Sequence, residues 1–212
     1  MFQLFLLRLL VLKIRKKYLK KLLKKRLSKQ EVINLLQNEK LNIKQINNLI
    51  TFFENNYLLN DKVLEKELYE ELELKNTSYQ EIKNNFSERG LNLNKNYDSE
   101  TEYHKILFWI NTKKKLFERC SFQEQKQKLN LLLLRKGFPS ELINRALNEQ
   151  LTYDEDNEKT ALTKEVIAYS LRNDLSNKEI KDKFINKLIR KGYRYHDIIK
   201  TIGDLDLYGQ DD

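Results

Sequence analysis

Apolar residues recur at steps of three or four along most of the chain, the period of a helix with one buried face. Leu4, Leu7, Val11, Ile14, Tyr18 and Leu22 form the first such stripe and predict one long helix over residues 2–27. Lys13, Lys16, Lys17, Lys20, Lys21, Lys24 and Lys25 fall largely on its other side. A second helix runs to about Lys40, Leu41-Asn42-Ile43 makes a turn, and a third carries Ile46, Leu49, Ile50 and Phe53. Asn60-Asp61 opens the next, with Val63, Leu64, Leu68, Leu72 and Leu74, and Asn76-Thr77-Ser78 caps another that ends at Arg89-Gly90. Leu91–Glu100 loses the period, is rich in Asn, and predicts a loop and candidate hinge. Beyond it the stripes are Ile106 to Leu116, a longer run to Arg135-Lys136-Gly137, and Leu142 to Leu147 after Phe138-Pro139-Ser140. Thr152–Lys159 reads as an acidic loop, and a helix follows through Leu162, Val166, Ile167, Tyr169 and Leu171. A last long helix ends at Arg190-Lys191-Gly192, a short one follows from Tyr193 through Ile199, and Gly203 to Asp212 reads as a frayed acidic tail.

One helix-start signal is repeated. Ser28-Lys29-Gln30-Glu31 is a capping box, in which Ser accepts from the backbone N–H three residues on and Glu reaches back to the N–H of Ser. The cue returns at Ser78–Glu81, Ser121–Glu124 and Ser176–Glu179, at offsets of 50, 43 and 55 residues, and a further box stands at Ser99–Glu102. Counting from Lys40, Gly90, Gly137 and Gly192, the next residue is Leu41, Leu91, Phe138 or Tyr193. Six residues after the anchor come Ile46, Ile143 and Ile198, whereas Asn96 breaks the rule in the second unit. The box Ser and its anchor are 12 residues apart in the first two units and 16 in the last two, a difference of about one helical turn. The expected architecture is all-α, an extended, curved array of tandem three-helix repeats. The expected units are 1–57, 58–98 (with the candidate hinge at 91–100), 99–153 and 154–203, with a disordered acidic tail over 204–212.

Composition agrees with helix: 212 residues hold only 5 Gly and 1 Pro. The net charge of +9 is unevenly placed. Residues 1–30 hold 11 Lys and Arg and no acid, leaving 29 basic and 31 acidic residues, or −2, for the remainder. The chain is thus a nearly neutral body behind a strongly basic first helix. A secretory signal would place its positive charge before the apolar segment, whereas here the charges follow it, so no such signal is expected. Phe2–Leu12 is interrupted by Arg8 and is too short to span a bilayer. Its stripe can pack into the core with the lysines solvated. The lysines can equally meet phosphates or an acidic partner, or lie on a membrane surface.

Catalytic signatures are missing. The sequence has no Gly-rich phosphate loop, metal-spaced Cys/His cluster or nucleophile elbow. Its single cysteine, Cys120, excludes an internal disulfide and fits a reducing compartment. His104 and His196 lie in different units, and Asp154–Glu158 lacks the glycine and spacing of a calcium loop. The expectation is a protein that is not an enzyme and uses no cofactor and no metal.

Several motifs resemble the RecX family of RecA regulators. They are Arg26-Leu27-Ser28-Lys29-Gln30-Glu31-Val32, Leu58-Leu59-Asn60-Asp61, and Gln125 to Leu129 with Leu133-Leu134-Arg135-Lys136-Gly137-Phe138. The closing Phe184-Ile185-Asn186-Lys187-Leu188-Ile189-Arg190-Lys191-Gly192-Tyr193 is similar too. That family is built of tandem three-helix repeats in which a helix ending in Arg/Lys-Gly-aromatic precedes a short helix. Where the family has paired Asp, Arg and Phe-Ala, this chain has Asn60-Asp61-Lys62-Val63-Leu64, and Leu91–Glu100 stands in place of a regular third helix. The chain is also expected to start directly in helix one, without the further N-terminal segment of longer relatives.

The resemblance implies a cytoplasmic, monomeric, non-enzymatic protein of DNA repair, DNA recombination and the SOS response. It would dock on the filament form of RecA and limit recombinase and coprotease activity, with single- or double-stranded DNA as a further partner and no stable membrane association. Candidate contacts are Lys13, Lys16, Lys17, Lys20, Lys21, Lys24, Lys25 and Arg26, with Arg135, Lys136, Arg190 and Lys191 at the two helix ends. Two alternatives stand beside it: a standalone DNA-binding helical-repeat protein, and a helical scaffold or membrane-peripheral protein anchored by the first helix.

Overall fold

The computed structural model describes residues 2–39 and 41–208, with side chains described for 11–39 and 41–204. Lys40, the first of the four anchors, lies outside the described residues. Among the described residues the only regular structure is helical, as the periodicity predicts, and the chain divides into two compact units, Met1–Tyr97 and Asp98–Asp212.

The first unit holds α1 (Phe2–Lys24), α2 (Lys29–Gln37), α3 (Ile43–Asn55), α4 (Asp61–Leu74) and α5 (Tyr79–Glu88). Ile14, Tyr18 and Leu22 of α1 bury against Val32 and Leu36 of α2 and Ile46, Leu49, Ile50 and Phe53 of α3. Side chains start these helices as well as the apolar stripes: Ser28 with Glu31 and Asn42 with Gln45 form complete capping boxes. Leu64, Ile82, Phe86 and Leu91 make a second, smaller core under α4 and α5. No helix closes that core over residues 91–98, which run irregularly to the start of the next helix, as the loss of period predicts.

In the second unit, α6 (Ser99–Lys113), a 3-10 turn at Lys114–Phe117, α7 (Phe122–Arg135) and α8 (Ser140–Gln150) surround Tyr103, Ile106, Ile110, Leu129, Leu133, Phe138, Ile143, Ala146 and Leu147. Then α9 (Glu155–Ser170), α10 (Lys178–Arg190) and α11 (Tyr195–Tyr208) enclose Leu162, Val166, Phe184, Leu188, Tyr193, Ile198 and Ile202. The helices that follow the four repeated signals, α2, α5, α7 and α10, span 9, 10, 14 and 13 residues, in line with the added turn in the last two.

Each unit contains the same joint. The Ser28 hydroxyl accepts from the Glu31 N–H at 3.1 Å and donates to the carbonyl of Arg89 at 2.5 Å. In the second unit the Ser121 hydroxyl accepts from the Glu124 N–H and donates to the carbonyl of Lys191. Thus α2 starts against the end of α5, and α7 against the end of α10. The positive N-terminus of one helix meets the negative C-terminus of the other, and orphan backbone groups on both sides are satisfied. The next N–H is also paired at each joint: Lys29 donates to Asp61 Oδ1 at 2.9 Å, and Phe122 to Glu158 Oε2 at 2.7 Å. Arg89 adds an ion pair to Glu31 at 3.0 Å. Burial acts against the Glu31 carboxylate, yet the Ser28 N–H and the Arg89 guanidinium outweigh it and hold its pKa below the ordinary value.

The structure corrects several local expectations. Helix α10 is capped by Asn177, whose side chain accepts from the N–H groups of Glu179 and Ile180, and not by the exposed Ser176. Asp98 replaces Ser99 as the cap of α6, its carboxylate accepting from Glu100 and Thr101. Asn, Asp and Ser are near-equal caps, so a neighbour one residue away competes on local geometry. The acidic stretch after Thr152 is mostly not a loop: Asp154 caps α9 and Glu155, Asp156 and Glu158 fill its first turn, where they oppose the positive helix end. Helix α11 continues to Tyr208, so the segment after Gly203 begins in helix; residues 209–212 lie outside the described residues.

Two buried tyrosines give a pH signature. Burial, with Glu39 beside it, pushes Tyr18 up to about 12, and burial with Glu165 and Glu158 nearby raises Tyr193 further. Because the native state holds these protons more tightly than the unfolded chain, their contribution is complete below the ordinary tyrosine pKa. It is lost as pH rises from there through the native values. A spectrophotometric titration should show a late tyrosine phase that shrinks in Tyr18→Phe and in Tyr193→Phe. A late phase unchanged in both variants would contradict the burial assigned to these two rings.

Candidate partner-binding surface

Helix α1 is held by one face. The Tyr18 hydroxyl donates to Leu35 O and to Glu39 Oε1, each at 3.0 Å, and the Arg15 guanidinium lies 3.3 Å from the centre of the Phe52 ring. Lys17 closes this side with an ion pair to Glu39 at 2.6 Å. Lys13, Lys16, Lys20, Lys21 and Lys24 stand exposed, with Lys25 and Arg26 just beyond the helix end. Arg26 turns back onto Glu67. Leu12 and Leu23 are also exposed, at 48% and 69%. The expected surface is therefore narrower than the full set: Lys17 and Arg26 pair within the unit, while Lys13, Lys16, Lys20, Lys21, Lys24 and Lys25 face solvent.

The two other candidate pairs differ from each other. Arg135 is exposed at the end of α7, and the Lys136 ammonium sits 3.6 Å from the centre of the Trp109 ring. Arg190 is exposed and donates from Nε to Asn186 O at 3.3 Å. Lys191 is half-buried and pairs with Glu165 at 2.6 Å and Glu124 at 3.7 Å, which makes it part of the joint. The two histidines and the cysteine make no catalytic grouping. His104 lies 3.5 Å from Glu100, His196 is exposed, and the Cys120 sulfur accepts from Lys128 at 3.1 Å. Among the described residues no group of three or more His, Cys, Asp or Glu is placed to hold a metal ion.

One surface escaped the charge count by averaging. Residues 103–136 hold 9 Lys and Arg against 2 acids, +7, hidden inside the −2 total of residues 31–212 by acidic stretches elsewhere. A windowed count would have found it. Here Lys113 and Lys136 bracket Trp109, their nitrogens 5.9 and 3.6 Å from the ring centre, and Phe108 sets its ring 5.6 Å away.

Comparison with known proteins bears on this same part of the chain. Residues 95–147 match the family model described as RecX, third three-helix domain. That segment is similar to one domain of the RecX family. Its RecX match takes in α6, α7 and most of α8, one complete helical core. The chain is also 40% identical over 63 residues to the protein named Regulatory protein RecX in Bacillus cereus strain B4264. The same figures hold for that of strain G9842. These matches take in 30% of this chain and 23% of each relative, so the aligned region is about a quarter of the relatives' length. No solved structure matches the chain. No helix among the described residues is long and apolar enough to cross a membrane.

Proposed function

We propose that this protein is a non-enzymatic regulator that binds the RecA–DNA filament and limits its recombinase and coprotease activity. The similarity of α6–α8 to the RecX third domain carries the reading. The four hydrophobic cores support a chain of four tandem repeats over 1–57, 58–98, 99–153 and 154–203; on this reading it acts as a monomer in the cytoplasm. Several modest contacts made by one chain along a filament add through effective concentration. The outer lysines of α1 supply a salt-sensitive contact to filament DNA or to an acidic wall of its groove. The decisive experiment titrates the protein into a cognate RecA during ATP hydrolysis and strand exchange. Inhibition at stoichiometric levels is expected, and none at those levels overturns the reading.

Replacing Lys13, Lys16, Lys20 and Lys24 together by Gln leaves the Glu39 pair of Lys17 intact and removes only outward charge. Filament binding should weaken, and its salt slope should flatten by up to about 3–4 if all four meet duplex phosphates. An unchanged affinity and slope would return these lysines to solvent. Exposed Leu12 and Leu23 beside them favour one second reading, a helix resting on an anionic membrane surface. Flotation with anionic liposomes, lost in the same variant, would establish it.

A further inference from the structure

We infer that the second unit carries its own binding site for single-stranded nucleic acid, centred on Phe108 and Trp109 at the C-terminal half of α6. Such sites need aromatic faces on which bases stack and cations that follow the phosphates, without sequence readout. Both are present. Phe108 is 47% exposed on the side of α6 away from Ile106 and Ile110. A solitary exposed aromatic is ordinary, but this one stands edge-on against the Trp109 ring at 5.6 Å and an angle of 81°. Lys136 and Lys113 then hold positive charge at 3.6 and 5.9 Å from the Trp109 ring centre. Lys115 stands in the 3-10 turn that follows α6, and Arg135 ends α7; both are exposed. The nearest acids in sequence are the buried Glu102 and Glu118, and the local charge of +7 over 103–136 attracts a polyanion before any contact forms.

The chemistry favours an unpaired strand over a duplex. A duplex offers phosphates to the lysines but keeps its base faces stacked, so Phe108 would gain nothing from it. An acidic protein would satisfy the cations and leave the aromatic pair unused. The surface belongs to the second unit and α1 to the first, and its occupancy does not depend on filament regulation.

Trp109 is the only tryptophan, so its emission reports this site in the intact chain. Titration with an oligothymidylate of about 20 nucleotides, long enough to cover one such site, should quench it saturably, and a duplex of equal length should compete poorly. Phe108→Ala should weaken binding roughly five- to hundred-fold, the range set by one base–aromatic stack, and Phe108→Tyr should restore it. Lys115→Gln with Arg135→Gln, at two exposed positions where folding is not at stake, should lower the salt slope by about 1.4. Binding that leaves Trp109 emission unchanged, or that Phe108→Ala does not alter, overturns the inference and moves the contact to α1. Quenching by polyglutamate but not by oligothymidylate overturns it in favour of an acidic protein.

Discussion

Gly192→Ala should destabilise the second unit by about 2–5 kcal/mol. Gly192 has φ +98°, where an L residue pays roughly 1–2 kcal/mol in crowding between Cβ and the backbone. A Cβ there would also stand 2.5 Å from Gln123 Cβ, a rigid part of that side chain, and relieving the overlap costs about 1–3 kcal/mol. The glycine is therefore required twice, once by the turn after α10 and once by the approach of α7. Unfolding followed by Trp109 emission assigns the loss to this unit. Gln123→Gly in the Gly192→Ala background should recover the overlap and leave the backbone strain, a coupling that a double-mutant cycle isolates. Gly203→Ala is the internal control: nothing lies within 4 Å of its added Cβ in helix α11, so it should stabilise by roughly 0.5–1 kcal/mol. A Gly192→Ala protein as stable as the parent would mean that α7 does not start against the end of α10.

Ser121→Ala should cost about 2–4 kcal/mol, more than loss of a cap alone. Ser121 is fully buried, and its hydroxyl serves Glu124 N–H and the Lys191 carbonyl together. The cap is worth about 1 kcal/mol, and a buried carbonyl left without its donor adds about 1–3 kcal/mol. Ser28→Ala should behave similarly in the first unit, where the same hydroxyl bridges Glu31 N–H and the Arg89 carbonyl. Ser176→Ala should change stability by less than about 0.5 kcal/mol, because that serine is exposed and Asn177 holds the cap. Equal losses at Ser121 and Ser176 would reduce all these serines to simple helix starts.

Much of this was legible along the chain, for local reasons. Burial of Ile14, Tyr18 and Leu22 follows from their spacing, since residues three and four apart share a helix face. The irregular stretch after Gly90 was visible in Asn96, which stands where Ile143 and Ile198 pack in the second unit. Errors came where two local choices were nearly equal in energy, as between Ser176 and Asn177 or Ser99 and Asp98. The acidic residues after Asp154 went wrong for a related reason: a charge run and an N-terminal helix turn have the same composition. Among the candidate contacts, charge alone could not separate Lys191, held by Glu165 and Glu124, from Arg190 beside it in solvent.

By itself the sequence determined the helices, their buried faces, the added turn in the later repeats and the basic outer face of α1. Each depends on residues within about one or two turns of one another. Only the tertiary structure decided what the repeated serine does. A hydroxyl both accepts and donates, and local pattern specifies just the acceptor half. The donor half reaches a carbonyl 61 residues away from Ser28 and 70 from Ser121, at the end of a helix whose own glycine makes room for the contact.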